Sequence, residues 1–247
     1  MSTDRWPEGY DRIVLDTVDS TNAEAARLAP HLRRPTWIMA RRQTAGRGRR
    51  GRPWAMPEGT FAATLAMRPG GAPAWAALRS FVAANALYAA LAMHARDVSL
   101  ALKWPNDVLL AGGKVGGILL ETTGQGRSVD WLSIGIGVNL VAVPAVDGQT
   151  DFPPVCLADH GDRVDPDSFL ALLAGHYATQ EAILERLGFD AVREDWLQRA
   201  AKLGEIITAR TSKEEITGLF DTVDECGNLV LVTGTGRRVV AAADVYF

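Results

Sequence analysis

The chain has 247 residues, of which 47% are hydrophobic and 22% are charged, a balance typical of a globular protein with a sizeable core. Its 26 basic and 29 acidic residues give a net charge of −3, which argues against a general nucleic-acid-binding protein, because such proteins are usually basic over a whole face. The N-terminus lacks the apolar stretch of a signal peptide, and no run reaches the roughly 18 apolar residues of a membrane span. We therefore expect a cytoplasmic protein without membrane contacts.

Hydrophobic periodicity and turn residues predict an α+β fold. Strands are predicted at residues 12–18, 35–42, 60–67, 99–103, 108–110, 115–122 and 130–138. Helices are predicted at residues 21–28, 75–96, from 165–168 onward, and at 190–202. The segment Phe81–Ala95 is strongly apolar but interrupted by Asn85 and His94, and we expect a core helix too short to cross a bilayer.

From Gly204 the pattern changes to short β segments. These are predicted at residues 206–210, 215–223, 229–233 and 238–242, with a turn at 224–228. We expect a large first domain, residues 1–203, followed by a small C-terminal β-barrel, residues 204–247.

The cysteines are Cys156 and Cys226. They are far apart in sequence and lack a CxxC spacing or a nearby pair of histidines, so neither a disulfide framework nor a zinc site is indicated. We expect both to be buried free thiols in a reducing compartment.

The most unusual stretch is Gln43–Trp54, named here the arginine loop. Residues 46–52 of this loop hold four arginines and three glycines. Between Glu24 and Glu58 there are nine arginines and no acidic residue. Because like charges this close repel one another and glycine is costly to order, we expect the loop to stay mobile until an anion neutralises it.

Three interpretations of the arginine loop remain open at this point. The loop could be a solvated surface turn, or an arm that follows a nucleic-acid backbone. It could also be a lid over a nucleoside triphosphate, with arginines on the phosphates and Trp54 stacked on the base. The composition of the loop does not decide among them.

Polar residues follow two of the predicted strands. Ser20 and Thr21 begin a helix directly after a strand, where free backbone N–H groups suit a neutral polar group or an anion, although a simple helix cap explains them equally well. Pro105 ends a strand and presents Asn106 and Asp107 at its mouth, unless the pair only forms a turn.

Glycine pairs lie within two consecutive strands, at Gly116–Gly117 and at Gly135 and Gly137. Glycine weakens a strand unless another group must approach the backbone closely, and a ligand is a natural candidate for that group. Neither pair has the spacing of a P-loop or of a dinucleotide-binding fingerprint.

Five segments, in this order along the chain, resemble the motifs of the biotin protein ligases. They are residues 19–22, 43–54, 103–107, 113–121 and 135–139. The resemblance implies a mixed β-sheet catalytic domain of the biotin/lipoate ligase type in residues 1–203 and a small C-terminal SH3-like β-barrel in residues 204–247. The nearest alternative within the fold is a lipoate ligase, which handles a different acyl chain, and the complete arginine loop favours biotin.

The resemblance also implies a reaction in two steps. Biotin and ATP with Mg²⁺ give biotinyl-5′-AMP and pyrophosphate. A lysine of a biotin carboxyl carrier protein domain, in acetyl-CoA carboxylase or a related carboxylase, then takes the biotin and releases AMP. Such a reaction needs no protein nucleophile, because the substrate carboxylate itself attacks the α-phosphate and the protein only has to hold and stabilise the reacting anions.

By motif position, the resemblance implies three overlapping groups of site residues. The catalytic residues are Lys114, Arg49 and Asp107. The biotin-binding residues are Ser20, Thr21, Asn22, Gln43, Gly46, Arg47, Gly48, Arg49, Lys114, Gly116 and Gly117. The ATP-binding residues are Arg47, Arg49, Arg50, Arg52, Trp54, Lys103, Asn106, Lys114 and Asn139. The role of Asp107 stays open between orienting or deprotonating the incoming lysine and holding Mg²⁺ through water.

Family members that also act as repressors carry an N-terminal helix-turn-helix domain, whereas only about eleven residues precede the first predicted strand here. We therefore expect no binding to DNA. The sequence also allows a homodimer, because exposed strand edges can pair with those of a second copy. The non-enzymatic alternative is an arginine-rich module that binds nucleic acid.

Overall fold

The computed structural model of the chain describes residues 6–124, 128–145, 152–241 and 243–247. Within these residues the chain forms twelve strands in two sheets, together with five α-helices. The predicted α+β class is confirmed.

The bounds of the elements follow the predicted pattern closely. The strands are β1 (Asp11–Val18), β2 (Thr36–Gln43), β3 (Phe61–Met67), β4 (Leu100–Lys103), β5 (Asp107–Leu110), β6 (Gly113–Thr123), β7 (Trp131–Val138), β8 (Ile206–Arg210), β9 (Glu215–Val223), β10 (Leu229–Thr233), β11 (Gly236–Val240) and β12 (Asp244–Tyr246). The helices are α1 (Thr21–Leu28), α2 (Pro73–Ala77), α3 (Arg79–Ala92), α4 (Pro166–Leu187) and α5 (Phe189–Leu197).

The first sheet has seven strands in the order β1-β2-β3-β7-β6-β5-β4. It is mixed, because β1 and β2 pair in parallel while the other neighbours are antiparallel. In the β6–β7 ladder Gly117 lies opposite Gly137 and Leu119 lies opposite Gly135. The glycines that the sequence places in separate strands therefore form one patch without side chains.

Helices cover both faces of this sheet. All seven residues of β3 are buried, as expected for a strand between two covering layers. On one face, α3 and α4 pack over a large core that includes Trp37, Phe61 and Phe169. On the other face, α1 covers a smaller cluster of Ala25, Ile38 and Ala66. The N-terminus of α1 is thereby fixed beside the glycine patch.

The stretch Pro73–Ala92, which spans α2 and α3, is 20 residues long and contains an 18-residue window with a mean hydropathy of 1.2, enough by length and composition to cross a membrane. Length therefore does not exclude a membrane span here, contrary to the expectation from sequence. Within that window 67% is buried inside the protein, and α3 packs against α4 and the sheet. These contacts are those of a core helix.

The second sheet has five antiparallel strands in the order β11-β10-β9-β8-β12. The expected closed SH3-like barrel is not confirmed, because no ladder joins β11 to β12 among the residues that the structure describes. The indole Nε1 of Trp104 donates a hydrogen bond of 3.1 Å to the Gly227 carbonyl, which ties this sheet to the β4–β5 turn. Gly227 has φ +81° and a Cβ there would lie 2.8 Å from Phe81, so both backbone and space require glycine.

A few local expectations differ from the structure. The helix predicted at 190–202 ends at Leu197. The short strand β12 was not predicted from sequence. The last predicted strand, 238–242, is observed at Gly236–Val240, and residue 242 lies outside the described residues. Cys156 is buried as expected, but Cys226 is exposed.

Candidate active site

One cavity of about 720 Å³ lies where the arginine loop, the β4–β5 turn, the glycine patch and β12 meet. Its volume is in the range of small-molecule sites. Most of the residues predicted from sequence line it. They are Ser20, Thr21, Asn22, Gln43, Arg47, Gly48, Arg49, Arg52, Trp54, Lys103, Asn106, Asp107, Lys114, Gly117 and Asn139.

The other predicted residues, Gly46, Arg50 and Gly116, do not line the cavity. A Cβ at Gly46 would lie 2.6 Å from the Trp54 carbonyl, so this glycine lets the two ends of the arginine loop come together. A Cβ at Gly116 would point toward Leu87 of α3 and the Gly137 carbonyl. The bare wall of the cavity is therefore formed by Gly117, Gly135 and Gly137, and the expected contact of a ring with Gly116 gains no support.

The sequence analysis missed the part of the wall that the C-terminal sheet supplies. Asp244, Val245 and Tyr246 of β12 line the cavity, as do Phe152 and Pro154. A strand of three residues carries no usable periodicity, and Asp244 stands almost 200 residues from the loop that it contacts. No local signal in the sequence indicated this contribution.

At one end of the cavity, hydrogen bonds fix the side chains of Thr21 and Gln43. Gln43 Oε1 accepts from the Thr21 backbone N at 2.7 Å and from Thr21 Oγ1 at 3.1 Å. The first helical turn of α1 is thus capped by a side chain from β2, whereas the N-cap residue Ser20 makes no side-chain capping hydrogen bond. With Ser20 beside them, these residues form a small polar pocket.

Asn22 lines the cavity but is held by the protein itself. Its Oδ1 lies 2.6 Å from the Thr64 hydroxyl, and its Nδ2 donates to Glu121 Oε2 at 2.7 Å. Glu121 in turn forms an ion pair of 3.1 Å with Arg47. Because both ends of the Asn22 amide are engaged, the residue supports the pocket and links it to the arginine loop.

The arginine loop is folded over the cavity. Gly48 N donates to the Arg52 carbonyl at 2.7 Å and Trp54 N donates to the Gly46 carbonyl at 2.9 Å, so the loop closes as a small antiparallel turn. At its tip, Arg50 has φ 56°, in the left-handed region that non-glycine residues rarely occupy.

Asp244 supplies the counter-charge that the loop itself lacks. Its Oδ2 lies 2.6 Å from Arg50 Nη1 and 3.0 Å from Arg52 Nη2, and its Oδ1 lies 3.9 Å from Arg49 Nη1. The expectation that the loop becomes ordered when an external anion binds stays a prediction. The chain provides its own anion, although one carboxylate cannot neutralise three guanidinium groups.

Arg49 stands between the loop and the β4–β5 turn. Its Nη1 donates a hydrogen bond of 3.1 Å to Asn106 Oδ1, and Asn106 Nδ2 donates to the Ile118 carbonyl at 2.7 Å. Burial lowers the pKa of the Arg49 guanidinium from its ordinary value, against the opposing effect of Asp244. A partly desolvated cation in this position binds an anion more strongly than an exposed one.

Lys114, Lys103 and Asp107 form a charged group on the opposite wall. Lys114 Nζ lies 2.5 Å from Asp107 Oδ1, and Lys103 Nζ lies 3.7 Å from Asp107 Oδ2. Lys103 is only 7% exposed, and burial lowers its pKa although Asp107 acts in the other direction. Two ammonium groups on one carboxylate leave a net positive charge that faces the arginine loop.

Trp54 and Asn139 form a third part of the site. The Trp54 ring lies against Gly137, where a Cβ would be 2.5 Å from Cε2. Asn139 Nδ2 donates to the Val155 carbonyl at 3.1 Å, whereas the buried Asn139 Oδ1 has no hydrogen-bond partner among the described residues. An unpaired buried acceptor beside a flat ring is suited to an aromatic ligand that carries an N–H donor.

The described residues contain no group of three or more His, Cys, Asp or Glu side chains that could hold a metal ion. Asp107, the predicted metal contact, is instead held between two lysines. A magnesium ion usually needs one or two protein carboxylates in addition to substrate phosphates. The donor set therefore fits an ion that arrives bound to a nucleotide better than a resident metal.

The sequence matches two known protein families. Residues 14–139 match the biotin/lipoate A/B protein ligase family, and residues 202–247 match the biotin protein ligase C terminal domain. The biotin--[acetyl-CoA-carboxylase] ligase of Paracoccus denitrificans is 52% identical over 240 residues, which cover 95% of this chain and 99% of that protein. The bifunctional ligase/repressor BirA of Escherichia coli is 27% identical, over 91% of this chain and 70% of its own length.

The fold is also found among solved structures. The biotin protein ligase from Aquifex aeolicus in complex with biotin and ATP superposes with a TM-score of 0.79 at 24% identity, over 95% of this chain and 98% of that one. At this identity the likeness establishes a shared fold. Together with the match over more than half of the sequence and the relative at 52% identity, it leads to one conclusion: the chain belongs to the biotin/lipoate A/B protein ligase family.

Proposed function

We propose that this protein is a biotin–[biotin carboxyl carrier protein] ligase, an ATP-dependent and AMP-forming enzyme. It activates biotin as biotinyl-5′-AMP and transfers the biotin to a specific lysine of a carrier domain. The observation that carries the proposal is the convergence, on one cavity, of Lys114, the arginine loop and the Trp54–Asn139 platform. The 52% identical relative bears the name of this activity.

In the first step the biotin carboxylate attacks the α-phosphate of ATP. A new P–O bond forms and pyrophosphate leaves with the electrons of the broken bond. The barrier arises mainly from bringing two anions together and from the charge that develops on the phosphate. Lys114 on one wall and Arg49 on the other supply positive charge to both, and their fixed positions avoid the cost of reorganisation.

The polar pocket at the start of α1 binds the ureido ring of biotin in this proposal. Ser20, Thr21 and Gln43 offer small hydrogen-bonding groups that the Gln43–Thr21 contacts hold in place. Gly117 and the side chains of Ile118 and Ile136 give the ring system an uncharged wall. The carboxylate then points toward Lys114.

The nucleotide occupies the remaining part of the cavity. Adenine stacks on Trp54, and its amino group donates to the unpaired Asn139 Oδ1. Arg47, Arg49 and Arg52 contact the phosphates. Mg²⁺ bound to ATP as part of the substrate would compensate the charge of the leaving pyrophosphate. The predicted ATP contact through Arg50 requires this side chain to leave Asp244.

In the second step the amine of the carrier lysine attacks the acyl carbon of biotinyl-AMP. The amide C–N bond forms, the acyl–phosphate bond breaks, and AMP leaves. Asp107 orients or deprotonates the amine. Its carboxylate becomes available for this role once a bound ligand has drawn Lys114 away, while Lys103 remains beside it. The alternative in which Asp107 holds Mg²⁺ through water remains open.

Several finer assignments are part of this proposal. We place the domain boundary between residues 203 and 204, close to the start of the C-terminal family match at residue 202, and we retain a closed SH3-like barrel as a hypothesis for the C-terminal domain. We expect a cytoplasmic enzyme without DNA or membrane contacts. The outer strands β1 and β4 leave two edges of the first sheet at which a homodimer could pair.

Incubation of the protein with biotin, MgATP and a biotin carboxyl carrier domain tests the proposal. We expect a mass increase on one lysine of the carrier, with AMP as the second product. Lipoate in place of biotin serves as the control for acyl specificity. Modification by lipoate alone, or salt-sensitive RNA binding without biotin-dependent release of pyrophosphate, would contradict the proposal.

A further inference from the structure

A second cavity of about 460 Å³ lies on the other side of the arginine loop, between α2–α3 and the C-terminal sheet. We name it the side cavity. Its lining is mainly apolar, with Ala77, Phe81, Trp104 and Leu120 among the walls. Ile118, Leu119 and Leu120 of β6, which follow the last ladder pair of β6 with β5 at Gly117, also line this space.

The side cavity and the active-site cavity share a wall. Five residues line both cavities: Arg49, Pro105, Asn106, Ile118 and Leu119. Within this wall, Arg49 Nη1 donates a hydrogen bond of 3.1 Å to Asn106 Oδ1. Asn106 is next in sequence to Asp107, whose carboxylate contacts Lys114. An opening at the Arg49–Asn106 contact would therefore lead from the side cavity to the reacting centre.

The second step of the reaction requires such a path. With biotinyl-AMP in the active-site cavity, the amine of a macromolecular acceptor must reach the acyl carbon from a direction that the intermediate does not fill. A lysine side chain has a flexible four-carbon stem that ends in an amine, and such stems pack well along apolar surfaces. The apolar walls and the polar inner end of the side cavity match this shape.

Resting on the proposed function, we propose that the side cavity is the passage through which the acceptor lysine of the carrier enters the active site. The stem lies between Ala77 of α2 and the Cys226–Asn228 turn of the C-terminal sheet, and the amine displaces the Arg49–Asn106 hydrogen bond. The occupant is a single lysine on an exposed turn of a folded acceptor, because the second step needs an amine on a long, flexible stem.

The charges around the inner end favour the reactive form of the amine. Arg49 is positively charged and partly buried, so it disfavours an incoming ammonium ion and favours the neutral amine. The ammonium proton passes to water or to Asp107 as the amine arrives. The nitrogen lone pair then forms the amide bond, and the electrons of the broken C–O bond leave with AMP.

A substitution at the outer end of the side cavity tests the passage without changing any residue of the active-site cavity. Ala77 is exposed and lines the side cavity but not the active-site cavity. We expect Ala77→Trp to slow transfer to the carrier by about tenfold or more, because a misplaced acceptor loses the benefit of orientation. Biotin-dependent exchange of pyrophosphate into ATP, which reports only the first step, is expected to stay within about twofold of the parent.

The matched control is Ala182→Trp, at an exposed position of α4 outside both cavities. We expect both steps to proceed at the parental rate in this variant. Unfolding midpoints of the two variants show whether tryptophan disturbs the fold. Parental transfer rates in a folded Ala77→Trp variant would overturn the proposal.

Chemical alkylation of Cys226 gives a second test. Cys226 lines the side cavity and is exposed, whereas Cys156 is buried. N-ethylmaleimide is expected to slow transfer while pyrophosphate exchange continues, and a Cys226→Ser variant is expected to resist this effect. Unchanged transfer by fully alkylated enzyme would contradict the passage. A parent enzyme without biotin-dependent exchange would instead refute the proposed function, on which the passage rests.

Discussion

Two regions of the molecule pair arginine with carboxylate in opposite ways. Between α3 and α4, Arg79 Nη2 lies 2.6 Å from Glu181 Oε1, and both side chains are at most 5% exposed. The Tyr177 hydroxyl donates to Glu181 Oε2 at 3.0 Å. In the arginine loop, by contrast, Arg50 and Arg52 share the single carboxylate of Asp244, and their side chains are 48% and 67% exposed.

The difference in burial and in charge balance distinguishes an ion pair with a structural role, Arg79–Glu181, from a surface that can bind a ligand, the arginine loop. The Arg79–Glu181 pair is matched one to one and satisfied by Tyr177, so it presents no net charge to a ligand. The arginine loop has more positive charge than Asp244 can neutralise, and this excess faces the active-site cavity. A charge that the fold leaves unbalanced beside a cavity is available to an anionic substrate.

The largest expected effect on stability comes from breaking the buried pair. Arg79→Met would leave Glu181 buried without its cation, which typically costs about 3–5 kcal/mol. Urea unfolding measures this loss, and activity per folded molecule should be unchanged. The control is Arg186→Met, at an exposed position of α4, the helix that carries Glu181. A loss no greater than that of the control would contradict the structural role.

Removing the central cation of the loop should affect the chemistry and leave stability nearly unchanged. Arg49→Gly deletes a charge-assisted contact worth about 1.5–3 kcal/mol, so biotinyl-AMP should escape about 10- to 100-fold faster and label bystander lysines. The measurement is the biotinylation of an unrelated protein in the same tube. Arg34→Gly, outside both cavities, is the control, and equal retention of the intermediate would count against the loop.

Asp244 should give a smaller effect of the same kind. Asp244→Asn removes the carboxylate charge that pairs with Arg50 and Arg52, so part of the cost of ordering the loop falls on substrate binding. We expect the KM for MgATP to rise several-fold, by about 1 kcal/mol in binding, with kcat less affected. Asp244→Glu should restore most of the affinity. A lower KM in Asp244→Asn would mean that repulsion between Asp244 and the phosphates outweighs its positioning role.

The smallest expected effect is on the pH dependence of the free energy of unfolding, and it comes from His176 on α4, the helix that carries Glu181. Burial lowers the pKa of His176 on α4 from its ordinary value. The unfolded chain therefore binds the proton more readily, and stability falls as the pH drops below about 6.5. His176→Gln should reduce this slope without changing activity, as urea unfolding at several pH values would show. An identical slope in the variant would refute the assignment.

Much of this arrangement could be read from local sequence signals. The strand–glycine pattern of β6 and β7 predicted a bare patch, and the Asp165-Pro166 start of α4 is confirmed, with Asp165 accepting from the backbone N–H of Asp167 and Ser168. Likewise, the density of arginine indicated a local excess of positive charge, although it did not decide between a surface turn, a nucleic-acid arm and a lid. These signals lie within a few residues of the structures that they specify.

Long-range contacts could not be predicted in the same way. Nothing near the arginine loop indicates that Asp244 folds it, and nothing near Ala77 indicates a cavity against the turn that contains Cys226. The face of a strand on which a glycine lies also depends on register, which is why Gly116 and Gly117 could not be distinguished from sequence.

The central claim is that the cavity joins two anions between Lys114 and the arginine loop, and biotin-dependent pyrophosphate exchange by Lys114→Ala tests it most directly. Removing one electrostatic contact of this type typically costs about 3–4 kcal/mol of transition-state stabilisation. We predict that exchange falls about 100- to 1,000-fold while the unfolding midpoint stays at the parental value. Exchange near the parental rate in a folded variant would contradict the account.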